Sequence, residues 1–523
     1  MSVLSRSNHH DTLPQPAVAE DAINEHSPLL RASSKNAIDK PCRSDSGISV
    51  SQLACGKSNR PGLQLAIGEI RSMLKLTWPL LVTFLLGIGM RLTDVKFLGN
   101  LDPQIMAAVS LGNLYTTVGG LAVGTGLLTA IDTLVAQAFT GAEDRYTLGI
   151  IFQRAVVIMA IFSVPITLLW LNAESLLVYM GQDPALAHLA QSYLYVCIPF
   201  IFLVFVSTAI RKVIQCLGQM RVTMYIIAVI FPFNIASNYF FLQYLDLGLL
   251  GAAYHILCFH VIVFITYSIF LLLRTDFLSY YPPWSVHAFR KWPTFLKLGI
   301  PGMLSVSTDW AFELCAIITG VLGRDTLAAQ SIILTVNHFL LMFPSSLSNA
   351  LVVHLGHHLG ASRAIEARWA VLVSVSTSVF IVSLNALLMY TMRFQVAAFF
   401  TKNPGISQTV VDLMGVASMA HFAVGNSVIF SGALNACGRQ SLVACFNLSS
   451  YYMVGLPVGL WMTMVHGMGL HGVWSGVIIA GCIKTIGEAY VILLNTDWES
   501  ECRRAKKRLQ TQEVPSQLPR CSS

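Results

Sequence analysis

Residues 74–79 read Leu-Lys-Leu-Thr-Trp-Pro, and the similar Leu-Lys-Leu-Gly-Ile-Pro occupies residues 296–301. The second segment follows the first by 222 residues, and further segments recur at displacements of 219 to 221 residues. These pairs are Ala107-Ala108 with Ala328-Ala329, Gly141-Ala142 with Gly360-Ala361, Gly218 with Gly438, and Gly248-Leu249-Leu250-Gly251 with Gly469-Leu470-His471-Gly472. So constant a displacement indicates that the chain contains two related halves.

Composition indicates a membrane protein, because 54% of the 523 residues are apolar and only 11% are charged. The apolar residues form long blocks, each near the roughly 20 residues that a helix needs to cross a bilayer. Spans are predicted near 73–98, 104–135, 148–171, 187–211, 222–242, 248–273, 293–322, 327–352, 369–392, 408–432, 442–464 and 469–494. The repeat shifts the chain by six helices, an even number, so both halves enter the membrane from the same side. The predicted fold is an all-α integral membrane protein with twelve transmembrane helices in two parallel, pseudo-symmetric six-helix lobes.

Polar segments outside the spans set the predicted domain limits. Residues 1–72 are predicted to be a disordered cytoplasmic tail, because they contain too little periodic apolar sequence to fold alone. The N-lobe covers 73–273 (helices 1–6), an inter-lobe loop covers 274–292, and the C-lobe covers 293–494 (helices 7–12). Residues 495–523 are predicted to form a basic cytoplasmic tail.

The distribution of basic residues predicts the orientation in the membrane. With a cytoplasmic N-terminus, the outside loops hold only Arg324, Arg393 and Lys402, and the inside loops hold most of the other basic residues. The positive-inside rule therefore places both tails in the cytoplasm. The basic run 503–508 follows the last span directly, which favours contact with anionic membrane lipid over nucleic acid. A monomer is expected.

A short segment of the first tail bears on the choice of membrane. Residues 25–30, Glu-His-Ser-Pro-Leu-Leu, resemble the acidic dileucine signal that sorting adaptors read on vacuolar and lysosomal cargo. Glu25, Leu29 and Leu30 are the residues that such an adaptor would contact. The segment favours a vacuolar or lysosomal membrane, and the plasma membrane is the alternative.

Several collinear motifs carry a resemblance to a known family. They are Asp132-Thr133-Leu134-Val135-Ala136-Gln137-Ala138-Phe139, Gly149-Ile150-Ile151-Phe152-Gln153-Arg154, Tyr451-Tyr452-Met453-Val454-Gly455-Leu456-Pro457-Val458-Gly459 and Gly472-Val473-Trp474-Ser475-Gly476. Over residues 73–508 the chain resembles the multidrug and toxic compound extrusion (MATE) family, eukaryotic branch. The resemblance implies a two-lobed antiporter that exports organic cations, drugs or metabolites in exchange for H⁺ or Na⁺, with no other cofactor.

Acidic residues inside the spans are candidate coupling sites, because a charge there costs about 2.5–3.5 kcal/mol on insertion scales. Asp94, near the outer end of the first span, resembles an aspartate that bacterial MATE members keep for proton or sodium coupling. The alternative is a surface ion pair with Arg91, three residues earlier on the helix.

The seventh span carries the second group of candidates. MATE members commonly show here an acid, two aromatics, a variable residue, an aromatic and an acid; Trp310 and Glu313 match this pattern, whereas Thr308 replaces the first acid. Asp309 follows one residue later and lies four residues from Glu313, so the two carboxylates face the same way and can share a proton. The tenth span lacks a family acid at Val424, three residues after His421.

Polar residues inside other spans are candidate cavity contacts, although single amides in a bundle often hydrogen-bond helices together instead. They are Asn113, Gln137, Asn234, Asn238, Tyr239, Asn337 and Asn435. Lys484 and Glu488 are predicted to form a structural pair. His354, His357 and His358 have a spacing that can hold a metal on a helix, but the resembling family segment has no metal site, and none is predicted.

Two other classes of function compete with the antiporter. A lipid-linked oligosaccharide flippase shares the two-lobed architecture, but its cavity usually carries cationic residues, which here avoid mid-membrane positions. A non-transporting receptor or intramembrane enzyme is disfavoured by the internal repeat. The chain is therefore expected not to be an enzyme, and without a Walker A motif ATP-driven export is disfavoured.

Overall fold

The computed structural model describes residues 60–273, 280–306 and 324–512, and within these ranges it contains helices and no strand. The long helices are, in chain order, α1 (Arg60–Leu98), α2 (Pro103–Gly141), α3 (Tyr146–Leu171), α4 (Pro184–Cys197 and Phe200–Cys216), α5 (Met220–Tyr244), α6 (Gly248–Leu273), α7 (Trp292–Val306), α8 (Arg324–Gly360), α9 (Ala364–Thr391), α10 (Pro404–Ala436), α11 (Gln440–Met464), α12 (Leu470–Leu494) and α13 (Trp498–Gln512). The sorting segment 25–30 lies outside the described residues.

Ten of these helices are long and apolar enough to cross a membrane. The two segments of α4 pass the same test together, with a bend of 53° between them, and add an eleventh span if the pair crosses as one. The remaining predicted span, 293–322, corresponds to α7, which is described only over Trp292–Val306. The helical membrane fold with two lobes therefore follows the prediction.

Two boundaries differ from the sequence-based limits. Helix α1 begins at Arg60, so residues 60–72 form its first turns and not part of a disordered tail. These turns pack along α8 and α9, and Gly62 lies against the Trp369 ring. Similarly, residues 498–512 of the predicted basic tail form α13. Both corrections have one cause. The polar composition of these two segments does not predict a helix, but tertiary contacts stabilise one in each.

The internal repeat is visible in the backbone of both lobes. Short helices Ala173–Tyr179 and Arg393–Phe400 occupy equivalent positions before α4 and α10. The next helices begin at Pro184 and Pro404, each preceded by a capping side chain, Asp183 or Asn403.

Equivalent turns also share an uncommon backbone conformation. Gly218 and Gly438 have φ of +77° and +69°, and Gly248 and Gly469 both have φ of +55°. Because glycine adopts this region without the steric cost that a side chain adds, the repeated glycines are explained by the repeated turns.

The two lobes meet at one end of the molecule, which we call the closed face. Here the C-terminal ends of α2 and α8 touch: Thr140 Oγ1 donates to the carbonyl of His357 at 2.7 Å. A methyl group on Gly360 would overlap the carbonyl oxygen of Gln137, and one on Gly141 would overlap Gly360. The paired glycines of the repeat therefore allow the two lobes to approach closely.

Helix α13 crosses the closed face and contacts both lobes. Arg508 donates to the Gln137 side chain at 3.3 Å and to the carbonyl of Cys437 at 2.6 Å. Buried Glu501 forms an ion pair with Arg439 of the C-lobe, and Gln512 accepts a hydrogen bond from Arg154 of the N-lobe. Four basic side chains of the run remain exposed, so contact of this helix with anionic lipid stays a prediction for Arg503, Arg504, Lys506 and Lys507.

Candidate functional site

Asp94 is the centre of a polar network inside the N-lobe. Its Oδ1 accepts hydrogen bonds from the side-chain amides of Asn234 at 3.0 Å and Asn238 at 2.7 Å, both on α5. The Nε2 atom of His255 on α6 lies 3.2 Å from the same oxygen. One carboxylate oxygen thus contacts residues from two other helices, while the Asp94 side chain keeps 33% exposure to solvent.

His255 extends this network away from the carboxylate. Its Nδ1 lies 2.6 Å from the hydroxyl of Ser237, and its Nε2 lies 3.1 Å from the amide nitrogen of Asn238. When the Ser237 hydroxyl donates to Nδ1, the neutral ring carries its proton on Nε2 and donates to Asp94. The imidazole is therefore placed to exchange a proton with the carboxylate.

Helical spacing explains why three residues of α5 meet in one place. Asn234, Ser237 and Asn238 are three or four residues apart and face the same side of the helix. The Oδ1 atoms of Asn234 and Asn238 are buried and have no hydrogen-bond partner within the described part of the chain. These two acceptors remain available to a bound water or ion.

The surface ion pair that the sequence left as an alternative for Asp94 is not formed. Within the described ranges, the basic group within ion-pair distance of Asp94 is His255, and Arg91 is not. Asp94 therefore faces the interior of its lobe.

The other predicted polar contacts lie in different places. Asn113 accepts a hydrogen bond from Tyr193 at 2.5 Å, within the N-lobe. Buried Gln137 joins the lobes at the closed face, where it donates to the carbonyl of Ala436 at 2.7 Å. Asn435 contributes its backbone carbonyl to the same contact, since Thr133 donates to it at 2.6 Å. Thr308, Asp309, Trp310 and Glu313 lie outside the described residues.

Tyr239 follows Asn238 directly but lies outside the Asp94 network. Its side chain is 54% exposed, whereas Asn238 is fully buried. Neighbouring residues on a helix point in different directions, which explains why only one of the two reaches Asp94.

The C-lobe has its own buried polar contacts. His421 Nδ1 lies 2.9 Å from the Asn337 amide oxygen, joining α10 to α8. Buried Glu488 accepts a hydrogen bond from Ser431, whose hydroxyl lies 2.9 Å from both carboxylate oxygens. Lys484 lies beyond direct ion-pair distance of Glu488, but its charge still interacts with the Glu488 carboxylate, so the predicted pair acts at longer range than a direct contact. The Ser431 hydroxyl, on another helix, takes the place that the i, i+4 spacing suggested for the lysine.

His255 and its partner Ser237 are the residues of the network that sequence reasoning missed. A histidine within an apolar helix is a titratable group of the same kind as the acids in the spans, and this was the signal for His255. Asn234 and Asn238 were found because amides are conspicuous in α5.

Comparisons with known proteins agree with this architecture. The MatE family model matches the chain twice, over residues 79–240 and 302–461, one match in each lobe. An uncharacterized transporter of Schizosaccharomyces pombe is 30% identical over 457 residues, 86% of this chain and 85% of that protein. Human multidrug and toxin extrusion protein 1 is 29% identical over 442 residues, 84% of this chain and 77% of that protein.

Solved structures show the same fold. The eukaryotic MATE transporter AtDTX14 superimposes with a TM-score of 0.79 at 20% identity, covering 85% of this chain and all of that one. A MATE transporter in an outward-facing conformation gives a TM-score of 0.71 at 18% identity, over 87% and 99% of the two chains. With both lobes matched by the family model and the fold shared, the chain belongs to the MATE family of multidrug and toxin extrusion transporters.

Proposed function

We propose that this protein is a secondary active antiporter that exports or sequesters organic cations, drugs or metabolites in exchange for H⁺ by alternating access of its two lobes. The observation that carries the proposal is the partly exposed carboxylate of Asp94 next to the imidazole of His255. A titratable pair inside a membrane-spanning lobe is a functional site by default, because burial of such groups is costly.

The donors around Asp94 favour H⁺ over Na⁺ as the coupling ion. Oδ1 faces N–H groups of two amides and one imidazole, whereas alkali and alkaline-earth ions prefer oxygen ligands. A Na⁺ ion would require the side-chain amides of Asn234 and Asn238 to turn their free oxygens inward. A proton needs no such rearrangement. H⁺ is therefore the first candidate for the coupling ion, and Na⁺ is the second.

Protonation gives a physical link to the movement of the lobe. Hydrogen bonds to a charged carboxylate are stronger than those to a neutral carboxyl group. A proton on Asp94 therefore loosens the attachment of α1 to α5 and α6 and changes the packing of the N-lobe. Asp309 and Glu313 are proposed to provide a second protonation site in the C-lobe.

The orientation follows from the charge distribution. The closed face carries Arg439 and Arg508, which the positive-inside rule assigns to the cytoplasm. In this state a central cavity would open to the opposite side of a vacuolar, lysosomal or plasma membrane, and release of a cytoplasmic substrate would follow. The molecule is proposed to work as a monomer with both termini in the cytoplasm.

Uptake of a fluorescent organic cation into proteoliposomes with an imposed pH gradient tests the proposal. We expect wild-type uptake to depend on the gradient, and Asp94→Asn to lower gradient-driven uptake by about tenfold or more, since a charge-assisted hydrogen bond contributes about 1.5–3 kcal/mol. Asp102→Asn is the matched control, because Asp102 caps α2 and Asn caps equally well. Equal uptake with and without gradients of H⁺ and Na⁺ would disprove coupling, and dependence on Na⁺ alone would replace the ion.

A further inference from the structure

A second polar cluster lies at the closed face, at the other end of α1 from Asp94. Glu69 of α1 meets His354 and His358 of α8, and all three side chains are nearly buried. Glu69 precedes Asp94 by a stretch of helix that spans roughly 37 Å at 1.5 Å per residue. The cluster is therefore separate from the proposed coupling site.

The three side chains converge on one point. His354 Nε2 lies 2.6 Å from Glu69 Oε2, and His358 Nε2 lies 3.5 Å from Glu69 Oε1. The two Nε2 atoms are 3.1 Å apart. The histidines are four residues apart on α8, so the helix presents both rings on the same side.

Protons can occupy this cluster in two ways. If both Nε2 atoms are protonated, two N–H groups lie side by side at 3.1 Å and point at one carboxylate. If one Nε2 is unprotonated, its lone pair can accept from the N–H of the other ring at 3.1 Å, which then no longer donates to Glu69. A cation between the three side chains would bind the lone pairs of both Nε2 atoms and of the Glu69 carboxylate.

The chemistry of the ligands selects the cation. Two imidazoles and one carboxylate form a ligand set that Zn²⁺ accepts, with bonds of about 2.0–2.2 Å and an open fourth position. Tetrahedral bonds of that length place neighbouring ligand atoms about 3.3 Å apart. The two Nε2 atoms, at 3.1 Å, and His358 Nε2 and Glu69 Oε1, at 3.5 Å, are close to that value, whereas the 2.6 Å between His354 Nε2 and Glu69 Oε2 would have to lengthen on binding. Imidazole disfavours Mg²⁺ and Ca²⁺.

His357 lies between the two ligands in sequence but belongs to another contact. Its Nε2 lies 2.7 Å from the carbonyl oxygen of Cys216, at the end of α4. The pattern His-x-x-His-His therefore divides into a pair that meets Glu69 and a third residue that joins the lobes.

We propose that Glu69, His354 and His358 form a site for a divalent transition metal, with Zn²⁺ as the preferred ion. Because α1 belongs to the N-lobe and α8 to the C-lobe, a bound ion joins the lobes at the closed face. Occupancy therefore holds that face shut and slows transport; this second step rests on the proposed alternating-access function, whereas the binding step does not.

Metal retention by the full-length protein in lipid nanodiscs tests the site. After chelation, incubation with Zn²⁺ and desalting, we expect about one Zn²⁺ per chain in the wild type and almost none in His354→Asn, His358→Asn or Glu69→Gln. His188→Asn is the matched control, because His188 pairs with Glu174 at 3.2 Å but has no second histidine, and it should retain wild-type metal. Retention in the wild type no greater than in the three variants would overturn the site.

Two further measurements keep the result interpretable. Co²⁺ in place of Zn²⁺ should give the visible absorption of a tetrahedral site in the wild type and in His188→Asn only. Size-exclusion profiles of the metal-free proteins identify any variant that fails to fold, and the remaining variants then decide the question. Full metal retention by every folded variant would also overturn the site.

The effect on transport is measured separately. Zn²⁺ should slow dye uptake by the wild type and leave uptake by His358→Asn unchanged. Retention of the ion with no effect on uptake would disprove the joining of the lobes and leave the metal site standing. Dye uptake that does not depend on the imposed gradient when Zn²⁺ is absent would instead count against the proposed antiport.

Discussion

His255 provides Asp94 with a neighbour that can itself carry a proton. Its ring is held from both sides, by Ser237 at Nδ1 and by Asp94 at Nε2. A carboxylate and an imidazole in one network offer two places for a proton, so the network can take up one proton and release it by a short transfer. The two groups are therefore best considered as one unit.

Replacing His255 tests this view at the scale of one residue. His255→Gln keeps an N–H donor near Asp94 but removes the titratable ring. We expect gradient-driven uptake to fall by at least about tenfold, because a positioned acid–base side chain contributes roughly 10²–10⁴-fold to proton transfer. Binding of the dye at equilibrium should be retained. His466→Gln, at an exposed position, is the control. Unchanged uptake by His255→Gln would assign proton exchange to Asp94 alone.

At the scale of the element, α13 acts as a strap that joins the lobes. Cys502 reports on its position, because burial, together with nearby Glu501 and Glu499, raises the pKa of this thiol to about 11. The thiolate is the reactive form, so alkylation of Cys502 should be slow near neutral pH and accelerate as the pH rises toward 11.

Arg508→Ala should release this strap. The change removes the hydrogen bonds to Gln137 and to the Cys437 carbonyl, exposes Cys502 and returns its pKa toward the ordinary value. We expect maleimide labelling of Cys502 near pH 7.5 to accelerate by about tenfold, a pKa change of roughly one unit, measured by mass spectrometry of the labelled peptide. Lys507→Ala, on the exposed side of α13, should label like the wild type. No acceleration in Arg508→Ala would mean that other contacts hold α13.

At the scale of the whole molecule, the lobes are held together by close contact between α2 and α8. Gly360→Ala places a methyl group against the Gln137 carbonyl and the Thr140 hydroxyl. Overpacking of this kind costs about 1–3 kcal/mol, which should shift the molecule away from the closed state. Hydrogen exchange of the amides in 137–142 and 357–363 should therefore become faster.

The matched control for this substitution is Gly87→Ala, because no heavy atom lies within 4 Å of the added methyl group. Its exchange in the same two segments should match the wild type. Protection in Gly360→Ala equal to that of the wild type would show that the lobes adjust locally and that the glycine pair does not control the equilibrium between states.

The sequence by itself determined the architecture and part of the site. The lengths of apolar blocks and the repeat near 220 residues are local or periodic properties, and they led to the membrane fold and the parallel lobes. The resemblance to the MATE family came from short motifs such as 132–139 and 451–459. Asp94, Asn234 and Asn238 could also be found from the sequence, because polar side chains are rare inside apolar helices. The acid pattern of the seventh span, with Asp309 and Glu313, stays a prediction.

Tertiary structure alone decided which polar groups meet. His255 lies 161 residues after Asp94, and His354 lies 285 residues after Glu69, so no local pattern connects the members of either pair. The same applies to Ser431, which hydrogen-bonds Glu488 from another helix, and to the first turns of α1 and the whole of α13. In each case the partner is set by how helices pack against one another, and helix packing depends on side-chain surfaces that spacing along the chain does not encode.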